Sequence, residues 1–344
     1  VTILFTEGFE NYNAVEDMAG MWAETGVNAF QQPGRDPSGS SIALSTTTNS
    51  IDRAIVNSVS GVIGFAFKFT STPVAEDYFL DLREASIGRH MSMWLTTSHQ
   101  LQVRLGLTAP NILQTSSRTL AANVWHYLEV KWLIDDTTGS VEVFVNNKKG
   151  GWIDFSGDTQ QGGNAYLDSL MLRSGNNLSG QPFNFDDVYI LDLLGGAPGN
   201  DRLGDSIVET LNPSGVGAEA QWLPSAGSNF QNVDEATPDG DTTFNSSAVV
   251  DDDDRFAMDN LVNVPSTVFA VQVQGAFRLE NSGNRDVRLK VTDGVTEGQS
   301  DDKQPSFDPA YVMQSFMFED HPTGAAPWST AEVNAMEAGY RIQA

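Results

Sequence analysis

Hydrolysis of a glycosidic bond needs two carboxylates roughly 5–10 Å apart across the sugar. Alternate residues of one β-strand can place such a pair on a single face. The E-x-D-x-x-E pattern that does so in sandwich glucanases is absent from this chain. Glu142 has no acidic partner two residues away, and Glu129 has Lys131 as its same-face neighbour, which predicts a surface ion pair. Gly204-Asp205-Ser206-Ile207 has the form of a serine-esterase nucleophile block. That chemistry also needs a base in a D-x-x-H setting, and none of His90, His99, His126 or His321 has Asp three residues before it. There is no G-x-S-x-G elbow, so Ser206 reads as a strand-entry residue. No catalytic residue is assigned, and the chain is not read as an enzyme.

Metal and cofactor chemistry is equally sparse. Four histidines without an H-x-x-x-H pair, and no cysteine at all, exclude thiolate sites and argue against zinc. Neither G-x-x-x-x-G-K nor a strand-linked G-x-G-x-x-G is present to cradle phosphate. Oxygen-rich loops suit calcium, and the candidates are Asp186-Asp187, Asp135-Asp136, Asp239 with Asp241, and Asp251 to Asp254. Gly195-Gly196 to Asp201 resembles one unrepeated turn of a calcium-binding β-roll. None fits an EF-hand loop, and a solvated acidic loop is the competing reading for each. No cofactor is therefore expected, with structural calcium left open. Trp22, Trp94 and Trp152 could stack on sugar rings or fill a core, and the sequence leaves both readings open.

The elements that must carry these residues are strands. Trp125 to Asn146 reads as a hairpin, with Leu128, Val130, Trp132 and Ile134 on one face of its first strand and Tyr127, Glu129 and Lys131 on the other. Val141, Val143 and Val145 form the apolar face of the second strand. Asp135-Asp136-Thr137-Thr138-Gly139 supplies the turn, with Gly139 expected at positive φ. Residues 62–69 alternate with aromatics at odd positions, and 41–46, 78–82, 91–95, 101–105, 166–172 and 185–191 read as further short strands. A Gly/Pro/Asn stretch from Gly195 to Asp201 predicts a boundary between a domain over 1–196 and a smaller β-rich domain over 197–344. In the second domain, strands are expected over 205–211, 268–279, 287–291 and 312–318. Ser329 and Glu332 form a capping box for one short helix that stops at Gly339, before a last strand from Tyr340. The fold class is all-β: a jelly-roll sandwich followed by a second, mostly-β domain with one short C-terminal helix.

Composition sets the limits on partners. With 19 basic against 45 acidic residues, the formal charge is −26. Such a surface repels nucleic acid and anionic membranes, whose binding rests on Lys and Arg. No apolar run approaches the roughly 20 residues of a membrane helix. The opening Val1-Thr2-Ile3-Leu4-Phe5 lacks the basic leader and long apolar region of a signal peptide, and a start without Met reads as processed or trimmed.

Three blocks, ILFTEGFENY, VWHYLEVKWLIDDTTGSVEVFVN and FNFDDVYILD, resemble the concanavalin A-like (laminin-G-like) jelly roll found in structural proteins of tailed bacteriophages. NDRLGDSIVETLNPSGVGAEAQW, NVDEATPDGDTTFNSS and PWSTAEVNAMEAGYRI resemble a second module that often follows it. The resemblance spans nearly the whole chain and carries no catalytic motif. It implies a non-enzymatic virion component: a capsid decoration, head-fibre, tail or tail-tip protein assembled in the host bacterial cytoplasm. Other virion proteins are the implied partners, and a homo-oligomer, a trimer foremost, is the expected state. The alternative is a glycan-binding adhesin that recognises a host surface polysaccharide.

Overall fold

The computed structural model describes residues 3–12, 14–26, 29–31, 33–37, 39–45, 49–106, 111–174, 182–193, 201–280, 285–307, 310–324 and 326–343. The chain forms two compact units, one of Val1–Phe9 with Trp22–Val208 and one of Glu10–Met21 with Glu209–Ala344. The Gly195–Asn200 stretch read as the boundary lies outside the described residues. Residues 201–208 belong to the first unit.

That first unit is a sandwich of two antiparallel sheets. One runs Asp154–Gly157, Gly139–Val145, His126–Leu133, Ser60–Phe69, Phe183–Asp192, Ser41–Leu44, Ala29–Gln31, with Ile3–Glu7 also paired to Phe183–Asp192. The other runs Ile112–Thr119, Gln100–Leu105, Met91–Leu95, Asp77–Arg83, Leu167–Arg173, Ser50–Ser58, Ala23–Thr25. Hairpin neighbours alternate with crossovers, such as Ser60–Phe69 between His126–Leu133 and Phe183–Asp192 and Leu167–Arg173 between Asp77–Arg83 and Ser50–Ser58, as in a jelly roll. Period-two alternation sends Phe65, Phe67 and Phe69 inward, where Phe67 stacks on Phe79 of the opposite sheet with ring centroids 4.6 Å apart. Phe183 and Phe185 close over the same ring at 5.2 and 5.5 Å. Trp22 and Trp152 are buried, so neither offers a ring face to a ligand.

The expected hairpin is present as His126–Leu133 paired with Gly139–Val145. Its turn is held by Asp135, whose Oδ1 accepts from the backbone N–H groups of Thr137 at 2.8 Å and Thr138 at 2.6 Å. Those bonds lower the Asp135 carboxyl to about 2. Gly139 is not at positive φ. Glycine is needed there because an added Cβ would lie 2.0 Å from the Thr159 hydroxyl.

The second unit is built on a five-stranded sheet in the order Pro213–Ala220, Asp253–Met258, Glu337–Gln343, Asp286–Thr292, Glu297–Gln299. Beside it is a ribbon of Val271–Phe277 with Val312–Phe318. Val287, Leu289, Val291, Phe277, Phe318, Trp328 and Val333 form its core. The helix is Thr330–Val333, with the Ser329–Glu332 capping box in place. The strand expected over 205–211 is extended chain without sheet partners, and the edge strand begins at Pro213. Only the first part of the Asp251–Asp254 run is a solvated loop, with Asp251 in an exposed turn. Asp253 lies in a strand and pairs with the buried Lys290, while Asp254 accepts from the backbone of Gln221 and Trp222 at 2.7 and 2.9 Å.

Candidate functional site

The outer face of the seven-stranded sheet carries a continuous set of charged and aromatic side chains. Cross-strand partners in a sheet share a face, and the register places Ile112, Arg104, Ser92, Asp81, Met171 and Asp52 in one row. Thr115, Gln102, Trp94 and Tyr78 form the row beside it. Tyr78 and Asp81 are three residues apart, and strict alternation would send them to opposite faces. A bulge between Tyr78 and Leu80 inserts the extra residue that brings both outward.

Asp81 lies at the base of this face and is fully buried. Arg89 reaches its Oδ1 at 3.0 Å and Arg173 its Oδ2 at 3.1 Å. Burial pushes the Asp81 carboxyl upward, opposed by the guanidiniums of Arg89 and Arg173. Arg89 comes from the turn after Asp77–Arg83, which closes through the Gly88 N–H on the Glu84 carbonyl at 2.9 Å. His90 fixes that turn from below. Its Nε2 donates to the Tyr166 carbonyl at 3.0 Å and its Nδ1 accepts from the Gln161 N–H at 2.8 Å. This is a satisfied neutral imidazole, and burial lowers its pKa further.

Above Asp81 the aromatic pair and the guanidiniums interleave. Tyr78 and Trp94 lie 4.7 Å apart, with Arg173 over the Tyr78 ring at 4.1 Å and Arg104 over the Trp94 ring at 4.0 Å. Trp94 donates its indole N–H to the Ser92 hydroxyl at 2.8 Å, which sets the ring orientation. Arg104 is held by Gln102 and Glu76, and Gln102 in turn donates to Thr115 at 2.8 Å. Each guanidinium is thus fixed by a carboxylate or amide and by a ring, and Tyr78 and Trp94 stay half-exposed. Of the three tryptophans that could stack on sugar, Trp94 is the one on an open face. Its arginine neighbours are scattered over Arg89, Arg104 and Arg173 with no motif, and only the register gathers them.

The other sheet uses its acidic groups structurally. Glu129 is buried, and its partner is Arg202 at 2.6 Å rather than the expected Lys131, which pairs with Asp201. Tyr189 donates to Glu129 at 2.5 Å and the Gly204 N–H at 2.7 Å. Asp205, Ser206 and Val208 are drawn in by Arg35 and Asp187: Arg35 pairs with Asp205 and donates to the Ser206 carbonyl at 2.8 Å, while the Val208 N–H donates to Asp187 at 2.8 Å. Residues 201–208 therefore form a strap over this sheet. The strap covers Asp187 and Tyr189 of Phe183–Asp192, a strand buried throughout where alternation predicts one wet face. Ser206 donates to the Gly204 carbonyl at 3.2 Å and is a strap residue.

The calcium candidates are likewise engaged by protein donors. Asp186 accepts from the Arg35 N–H at 2.6 Å, Asp241 pairs with Arg278, and Asp251 with Arg341. Among the described residues no group of three or more His, Asp or Glu side chains is placed to hold a metal ion. No helix among them is long and apolar enough to cross a membrane.

No protein-family model and no curated protein matches the chain. Solved structures similar to it include the binding domain of botulinum neurotoxin DC in complex with SialylT, at TM-score 0.39 and 10% identity over 90% of this chain and 81% of that one. The exoplasmic/lumenal domain of VIP36, in its Ca2+/Man3GlcNAc-bound form, is similar at TM-score 0.36 and 10% identity over 58% and 94%. A sialidase is similar at 0.38 and 9% over 55% of this chain, which spans only 18% of the sialidase's length. Likenesses of this size carry nothing about ligand or activity.

Proposed function

We propose that the chain is a non-enzymatic structural component of a tailed-bacteriophage particle, and that its first unit is a glycan-recognising jelly roll. The recognition reading rests on the Tyr78–Trp94 pair with Arg89, Arg104 and Arg173 on an open sheet face. Half-exposed aromatic rings beside fixed polar groups are what saccharide binding requires, because sugars present apolar ring faces and a rim of hydroxyls. The particle setting rests on the sequence blocks that resemble phage jelly-roll proteins.

Asp52 and Asp81 are the carboxylates whose placement comes nearest to hydrolytic chemistry. They lie two strands apart on this face, about 9.6 Å by strand spacing, just beyond the separation that inverting hydrolysis uses. Asp81 is also wholly buried under two guanidiniums, and Asp52 pairs with Arg83. Neither is free to reach a glycosidic oxygen, which supports the non-enzymatic reading.

A contribution from assembly is supported by the second unit. Leu223, Val262, Val264 and Val295 are 71–93% exposed, which suits contact with other particle proteins. Two measurements test the proposal. A glycan array with the intact chain should give hits that Trp94→Leu abolishes, and hits unchanged by Trp94→Leu would refute this face. Quantitative peptide mass spectrometry of density-purified particles should recover the chain, and its absence from particles would refute the virion setting.

A further inference from the structure

We infer that the face built on Tyr78, Trp94 and Arg104 selects acidic saccharides, those whose ring bears a carboxylate. The inference rests on the glycan-recognition reading above and narrows its ligand class. Four guanidiniums, of Arg83, Arg89, Arg104 and Arg173, gather there with three carboxylates, of Asp52, Asp81 and Glu76. Asp168 also acts on the Asp52 carboxyl, so acidic and basic groups balance on this face in a chain whose formal charge is −26. A carboxylate meets here guanidinium donors on a face without the net negative charge that repels it elsewhere. A long polyanion would be repelled by the rest of the surface.

The guanidiniums have donors to spare. Arg173 spends Nη1 on Asp81, and its side chain stays 16% exposed. Arg104, only 5% exposed, spends Nε on Gln102 and Nη2 on Glu76, so a ligand carboxylate reaches it by displacing Glu76. The stacking distances of 4.0 and 4.1 Å to Trp94 and Tyr78 hold both planar forks in place before any ligand arrives. A fixed fork binds a carboxylate through two parallel hydrogen bonds, and little ordering entropy remains to be lost. The guanidiniums cover the ring faces, and the exposed ring edges border the sugar that carries the carboxylate. Glu76 is the built-in competitor, because it already occupies part of the Arg104 fork and is itself exposed.

Titration calorimetry of the intact chain tests this with oligogalacturonate, a neutral maltooligosaccharide of equal length and a sulfated dextran oligomer. Oligogalacturonate is expected to bind best and to weaken as NaCl rises. Arg104→Gln and Trp94→Leu should each weaken it at least tenfold. Glu76→Gln should tighten it several-fold by removing the competing carboxylate, a gain that no purely structural role for Arg104 produces. Near-ultraviolet circular dichroism shows that each variant keeps its fold, and Glu76→Gln, at an exposed position, keeps the test decisive if Arg104→Gln does not. Equal or tighter binding of the neutral or sulfated oligomer would overturn the inference and leave glycan recognition standing. No binding of any saccharide would remove both. Oligogalacturonate binding indifferent to all three variants would place the site elsewhere and overturn the inference.

Discussion

Glu129 and Arg202 are a buried carboxylate and the guanidinium that neutralises it, 73 residues apart in sequence. Breaking a buried pair leaves the surviving charge without compensation, at a cost of about 3–5 kcal/mol. Glu129→Gln is therefore expected to lower urea stability by about that much. It should also speed amide exchange at Leu203 and Gly204, whose N–H groups donate to Tyr189 and Glu129. An unchanged exchange rate there would show that the strap is held by something else. Asp186 gives a pH signature. Burial, followed by the charge of Asp187, raises its carboxyl well above the unfolded value. The folded state then holds the proton more tightly, so this contribution is fully present below about pH 4 and is lost as pH rises through the folded pKa. Wild-type stability measured relative to Asp186→Asn should fall from about pH 4 into the neutral range. A flat difference would contradict the raised carboxyl, whatever the absolute stability of the variant.

At the level of elements, Gly64 ties the strap to the sheet beneath it. It pairs with both Glu129 and Tyr189, and a Cβ there would meet the Tyr189 ring at 2.1 Å. Gly64→Ala should displace that ring and its hydrogen bond to Glu129, costing about 1–3 kcal/mol in thermal or urea unfolding. Full retention of stability would mean that the ring moves without loss. The hairpin over 126–145 and the strand 312–318 were legible in sequence, because burial on one face imposes period two and nothing interrupts it. The capping box was legible because its hydrogen bonds are local. The strap was not, since 201–208 has no periodicity and acts through single bonds to distant residues. Pro213–Ala220 was missed for another reason: PSGVGAEA is rich in small residues and reads as loop until a partner strand fixes it. Half of the proposed recognition face was visible. Trp94 was singled out, but its arginines come from a turn and two separate strands, and the bulge at Tyr78 breaks the alternation that would have aligned them.

The molecule as a whole combines a sandwich with an open polar-aromatic face and a second unit that exposes several apolar side chains. A trimer, the state the phage jelly-roll resemblance implies, predicts a light-scattering mass three times the 37.3 kDa of the chain at micromolar concentration. A monomeric mass would contradict self-assembly away from the particle. The account stands or falls, though, on whether the outer face of the seven-stranded sheet is where a ligand sits. Hydrogen exchange of the intact chain with and without saturating oligogalacturonate reads this directly. The account predicts slowed exchange concentrated in Asp77–Arg83, Met91–Leu95, Gln100–Leu105 and Leu167–Arg173, with the strap unchanged. Protection confined to the loops or to the opposite sheet, or no protection at all, would contradict it.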